Sequence, residues 1–239
     1  MSRPKGSKNK PKADNITTFI NNDIAVEFKP TDIIKSVLYD LFNKITILES
    51  KQNSFENLTH ELLFQNLLID SGFKVYEGSD IPKGSFTRDT KTGYFDQRYA
   101  DKLLAIHHPY GSQASPDFIL VVYGFIFKIE LKSSKNGLAM WNSGYAQNEY
   151  IYIYSNTLLK YTTFFIGACI ISPEVMLIFE QHIKDIKDVC DRTNSKLSSI
   201  GEHHWSTYPR VMFQNTATLA PKHEYSVFEF IERVVSYDK

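Results

Sequence analysis

The chain has 239 residues, of which 42% are hydrophobic and 14% aromatic, enough apolar surface for a folded core and too much for a disordered chain. The formal net charge is zero, which excludes a uniformly cationic phosphate-binding surface, but the charge is unevenly spread. Arg3, Lys5, Lys8, Lys10 and Lys12 give residues 1–13 five positive charges and no acid, so the rest of the chain is negative by five.

Residues 1–15 are poor in apolar side chains and read as a flexible basic arm. The run RPKGSKNKP is similar to a minor-groove AT-hook, without that motif's Gly-Arg-Pro centre, and a solubilising tail is the alternative reading. Residues 16–239 are expected to form one domain, with an N-terminal helical part (31–52), a core (about 54–197) and a C-terminal segment (198–239). The three-and-four spacing of Ile33, Ile34, Val37, Leu38, Leu41, Phe42, Ile45 and Leu48 predicts a helix over 31–49. A second helix is expected over 55–70, closed by Gly72, with Leu58, Leu62, Gln65 and Ile69 on one side and Glu61 at the edge of that stripe. A short strand follows at 73–76, and residues 77–114 read as a long, functional insertion. Strands are expected at 117–123 and 125–132, turning at Gly124, and again at 150–154 and 163–171. A helix over 173–196 comes next, with Pro173 in its first turn. The segment 201–222 reads as loop or strand, and Val227 to Val235 suggest a closing helix. The predicted class is therefore α/β, a mixed central β-sheet flanked by helices.

The longest apolar runs, near 118–123 and 164–171, are too short to cross a bilayer as helices. No apolar leader follows Met1, and Cys169 and Cys190 make no disulfide framework. The expectation is a reduced, cytoplasmic protein without membrane association. With no Gly-rich phosphate loop, no nucleotide cofactor is expected.

The stretch from Pro116-Asp117 to Glu130-Leu131-Lys132 carries the chemistry. Alternation in the second strand sends Glu130 and Lys132 to one face, away from Phe125, Phe127, Ile129 and Leu131. If the turn at Gly124 has two central residues, facing positions sum to an odd number, and Asp117 joins Glu130 and Lys132 on that face. Two carboxylates suit a hard divalent cation such as Mg²⁺, and a lysine beside them can orient water and balance charge on a phosphate. A Glu-x-Lys pair on its own is usually a solvated strand face; the joint occurrence with Asp117 is more specific.

This arrangement resembles the PD-(D/E)XK nuclease superfamily, and its surroundings are similar to type II restriction endonucleases. The resemblance rests on PYGSQASPD at 109–117, ELKSSKNG at 130–137, WNSG at 141–144 and YIYIY at 150–154. It implies a restriction-endonuclease-like core, in which Asp117 and Glu130 bind Mg²⁺ with the Leu131 carbonyl, Lys132 assists the nucleophilic water, and Glu61 stands near the metal. A salt-bridged helix-edge carboxylate is the alternative for Glu61. Ser112, Gln113, Lys135 and Asn142 flank the centre as candidate DNA contacts, or else as turn-forming polar residues. His107-His108 and His203-His204 lack the spacing of a familiar zinc site and read as loop histidines.

The resemblance implies a type II endonuclease acting on double-stranded DNA at a short specific sequence. The alternatives are a structure-specific repair or recombination nuclease of the same superfamily, and a non-catalytic DNA-binding module. A symmetric homodimer is expected, so that two centres reach both strands, and the apolar stripe of the first helix could supply its interface. Packing of that stripe in its own domain is the stronger alternative.

Overall fold

A computed structural model describes residues 30–47, 59–82, 84–112, 114–135, 137–141, 145–156, 158–202, 211–213 and 216–236. The basic arm, Gln113, Asn142 and the pair His203-His204 lie outside the described residues.

Helix α1 (Pro30–Ile45) buries Ile34, Leu38, Leu41, Phe42 and Ile45, each at most 1% exposed, as its periodicity predicts. Asp32 in its first turn and Lys44 in its last complement the helix dipole. Five positions of the stripe are thus used inside the fold, which favours packing in its own domain, while Ile33 is 42% exposed and Leu48 lies outside the described residues. Helix α2 (Thr59–Asp70) differs from expectation in which side it buries. Phe64 and Leu68 enter the core, whereas Leu62 and Ile69 are both 55% exposed. Leu62, Leu63, Phe64, Leu67, Leu68 and Ile69 surround this helix with apolar groups, so no periodic stripe marks the buried side. Glu61 lies on the packed side of α2, half-buried.

Strands β1 (Lys74–Glu77), β2 (Gly93–Tyr94), β3 (Leu103–His107), β4 (Phe118–Val122), β5 (Phe125–Ser134), β7 (Tyr150–Asn156) and β8 (Tyr161–Ile166) form a seven-stranded mixed sheet. Its order is β1-β3-β4-β5-β7-β8. β1 runs parallel to β3, the run β3-β4-β5 is antiparallel, β7 runs parallel to β5, and β8 is antiparallel to β7. The short β2 pairs with the start of β5. Strand β6 (Ala139–Trp141) pairs antiparallel with β9 (Val211–Phe213), from the 201–222 region, in a separate ladder. Helices α3 (Pro173–Ser199), α4 (Thr216–Leu219) and α5 (Glu224–Ser236) complete the elements. Ser172 caps α3, its Oγ accepting the Val175 N–H, with Pro173 at the first helical position.

The expectation of an insertion without core structure over 77–114 is corrected by β3, an interior strand between β1 and β4. Its sequence LLAIH is five residues long and does not alternate, because both its faces are covered, and so it carries no periodic signal. Strand β8 stops at Ile166 rather than 171. A Cβ on Gly167 would stand 1.9 Å from the Gln147 carbonyl oxygen, so only glycine passes there, and the chain turns into a 3₁₀ turn.

Two layers follow from side-chain alternation. On one face Phe118, Leu120, Val122, Phe127, Ile129, Ile151, Ile153 and Phe164 pack with α1, α2 and α5. On the other, Ile106, Ile119, Val121 and Ile126 are covered by Ile81, Phe86, Phe95, Tyr99 and Tyr110 of the 78–110 segment. Farther along that second face Tyr152, Tyr154 and Phe165 pack with Trp141 and with Met176 and Phe179 of α3. Among the described residues no helix is long and apolar enough to cross a membrane. Cys169 and Cys190 are free thiols, the first exposed and the second buried.

Candidate active site

The β4–β5 hairpin turns through Tyr123 and Gly124, whose φ angles of 49° and 91° are both left-handed, the geometry of a two-residue type I′ turn. Val122 therefore pairs with Phe125 and Phe118 with Ile129. One step beyond that ladder, Asp117 comes level with Glu130 on the second face. Its Oδ2 accepts the Leu131 N–H at 2.6 Å. Glu130 is 7% exposed, and its two oxygens are divided between partners: Oε1 accepts from Lys132 Nζ at 2.7 Å, and Oε2 from Ser115 Oγ at 2.8 Å. This is not the solvated face that a Glu-x-Lys pair usually marks.

Asp117, Glu130, Leu131 and Lys132 floor a cleft of about 340 Å³ whose walls include Glu61, Ser112, Ser115, Trp141, Tyr150 and Tyr152. The parallel pairing of β5 with β7 sets Glu130 beside Tyr152. The cleft thus lies between the two apolar clusters of the second face, where the 78–110 segment ends and the cover from Trp141 and α3 begins. Trp141 stands beneath Lys132, with Nζ 6.0 Å from the ring centroid.

Asp117 and Glu130 are two carboxyl groups held close together in a part-buried cleft. Burial, and then the charge of Glu130, pushes the Asp117 carboxyl up to about 7, against the opposing pull of the Leu131 N–H and Lys132. Burial and then Glu130 also raise the Tyr150 phenol. His60, on α2, is held below its ordinary value by burial, with the Lys132 charge acting in the same direction.

The structure brings Asp117, Glu130, Leu131, Lys132, Glu61 and Ser112 into one cleft. Lys135 is exposed just past the end of β5 and is not part of the lining. Ser115 was not anticipated, although it stands two residues before Asp117. Nor were the tyrosines of β7, whose role depends on a parallel pairing that no local pattern announces. The loop reading of His107 is corrected, since His107 closes β3 and is 8% exposed; His108 lies in the loop that follows, as expected. No protein-family model, no curated protein and no solved structure matches this chain.

Proposed function

We propose that this chain is a Mg²⁺-dependent endodeoxyribonuclease that hydrolyses phosphodiester bonds of double-stranded DNA at a short specific sequence, in the manner of type II restriction endonucleases. The observation that carries this reading is the convergence of Asp117 and Glu130, on paired strands, with Lys132 bonded to Glu130 at the floor of an open cleft. A mixed sheet flanked by helices is also what the PD-(D/E)XK resemblance implies.

The donor set fits the cation. Asp117 and Glu130 offer hard carboxylate oxygens, with the Leu131 carbonyl and Glu61 at hand. Mg²⁺ held there would neutralise phosphate charge and polarise the phosphoryl group. Lys132, bonded to Glu130, would orient a water toward phosphorus. Ser115 holds the second Glu130 oxygen and so fixes the carboxylate plane. Ser112, in the cleft lining, and Lys135, exposed beyond it, are the described candidates for contact with DNA.

The test compares Mg²⁺-dependent cutting of intact duplex with cutting of the same sequence carrying a nick, gap or branch. Faster cutting of intact duplex at one sequence is expected. Preference for the branched DNA, at any sequence, would move the protein to the repair and recombination class.

Deleting residues 2–12 is expected to weaken DNA binding and flatten its salt dependence without changing the sequence cut, because five cations act on phosphates and are blind to base identity. An unchanged salt slope in a binding titration would return the arm to a solubilising role.

The active species is expected to be a homodimer, with one Asp117–Glu130–Lys132 centre for each strand. Mixing wild-type with Lys132→Ala subunits on supercoiled plasmid should then release nicked circles. Linearisation unaffected by the inactive subunits would contradict the dimer.

A further inference from the structure

Beside the proposed Mg²⁺ centre, two histidines that its chemistry does not use are gathered with Glu61 at the end of β3. One ligand atom from each of Glu61, His107 and His108 lies within 4.8 Å of the others. Both imidazoles turn Nε2 toward the same carboxylate oxygen, Glu61 Oε2, at 3.4 Å from His107 and 3.7 Å from His108. Around a tetrahedral ion with bonds of about 2.0–2.1 Å, neighbouring ligand atoms stand roughly 3.3–3.4 Å apart. The two separations approach that edge length and are long for hydrogen bonds.

The burial pattern points the same way. His107 is 8% exposed, and its Nε2 is fully buried with no hydrogen-bond partner, facing the Glu61 carboxylate at 3.4 Å. Its other nitrogen is held: Nδ1 lies 3.0 and 3.1 Å from the two Glu77 oxygens. A carboxylate against Nδ1, with Nε2 turned to the cluster, is the outer-shell arrangement of metal-bound histidines. The Gln65 side-chain amide lies 2.8 Å from the same Nδ1.

The backbone holds the second imidazole in position. His108 has φ = 48°, a conformation uncommon for a residue with a side chain, and its ring stacks on His107 with centroids 3.7 Å apart. Gly78 leaves room for this turn: a Cβ there would stand 2.2 Å from the His108 carbonyl oxygen.

We propose that Glu61, His107 and His108 form a binding site for a divalent transition ion of the zinc class, separate from the Asp117–Glu130 centre. Two imidazoles and one carboxylate suit borderline ions rather than Mg²⁺. Three protein ligands leave a fourth position for water, the open form of such sites. Because Glu61 also lines the Asp117 cleft, its carboxylate stands where the two centres meet.

Cobalt(II) is the probe, added to metal-stripped full-length protein, because a tetrahedral site gives intense visible ligand-field bands. One equivalent is expected to bind, and the bands should persist in excess Mg²⁺ and in Asp117→Asn. His107→Gln and His108→Gln should lose them. Glu77→Gln, whose carboxylate is half-exposed and ligates nothing itself, should weaken cobalt binding by about 10–100-fold. Circular dichroism of each variant separates a lost ligand from a lost fold, and His108→Gln, at a half-buried position, decides the matter if His107→Gln unfolds. Absence of tetrahedral bands in the wild type, or bands undiminished in His108→Gln, would overturn the site. Bands lost in Asp117→Asn but kept in His108→Gln would also overturn it, by assigning the cobalt to the other centre. None of these readings depends on DNA cleavage, so they stand apart from the nuclease assignment.

Discussion

Asp117→Ala, Glu130→Ala and Lys132→Ala are each expected to lower DNA cleavage by at least about 10²–10³-fold in single-turnover assays with Mg²⁺, the scale of losing one preorganised electrostatic contact to a transition state. The losses should not add when the changes are combined, because the three groups act as a unit. Binding of uncleaved duplex should change far less. The structure refines what else to expect of these variants. Lys132 is the cation on Glu130 Oε1, and truncating it leaves a buried carboxylate with Ser115 alone. The Lys132 variant should therefore melt lower than the other two, and Glu130→Gln is the cleaner probe of that position. Wild-type cutting by the Asp117 or Lys132 variant would remove this cleft from consideration.

The second large effect concerns stability and has the opposite sign. Asn at position 117 can still accept the Leu131 N–H but carries no charge, so Asp117→Asn is expected to stabilise the metal-free protein near neutral pH. The sign follows from the raised carboxyl. Folded Asp117 keeps its proton up to about 7, whereas the unfolded chain releases it near the ordinary value of 3.8. Between those values the folded state binds more protons, so wild-type stability falls as pH rises, and above the upper value the full penalty is present. The Asn variant is exempt from that fall. The gain should be of order 2–4 kcal/mol above neutrality, shrinking to nothing as pH drops below 4. Thermal melts of both proteins across this range, with chelator present, give the comparison. Adding Mg²⁺ should then raise the wild-type melting temperature and leave the variant behind, since a ligand stabilises only the state that binds it. A variant less stable than wild type at pH 8 without metal would show that Asp117 is not under charge strain.

The hairpin and its acids were legible because strand periodicity is short and rigid. Alternation over 125–132 and one glycine at the turn were enough to set Asp117 level with Glu130. The α1 stripe was legible for a similar reason, its apolar positions keeping a clean helical period. The partial enclosure of Glu130 and Lys132 was less so, since Tyr152 and Trp141, which line the same cleft, come from other parts of the chain. Helix α2 misled because apolar groups surround it, and only tertiary packing chooses Phe64 and Leu68 over Leu62 and Ile69. Strand β3 was invisible because an interior strand need not alternate. With β3 unseen, the approach of His107 and His108 to Glu61, across 46 residues of sequence, could not be read either. Contacts of that kind depend on sheet order, which side-chain patterns along one strand do not encode.

The measurement closest to the central claim is digestion of a supercoiled plasmid of known sequence by the full-length protein, with sequencing of the new ends. Discrete fragments with identical ends are predicted with Mg²⁺ and none with chelator, and Glu130→Gln should leave the plasmid intact. Failure of the wild type to cut any duplex with Mg²⁺, or cutting that persists in chelator or in the Glu130→Gln protein, would contradict it.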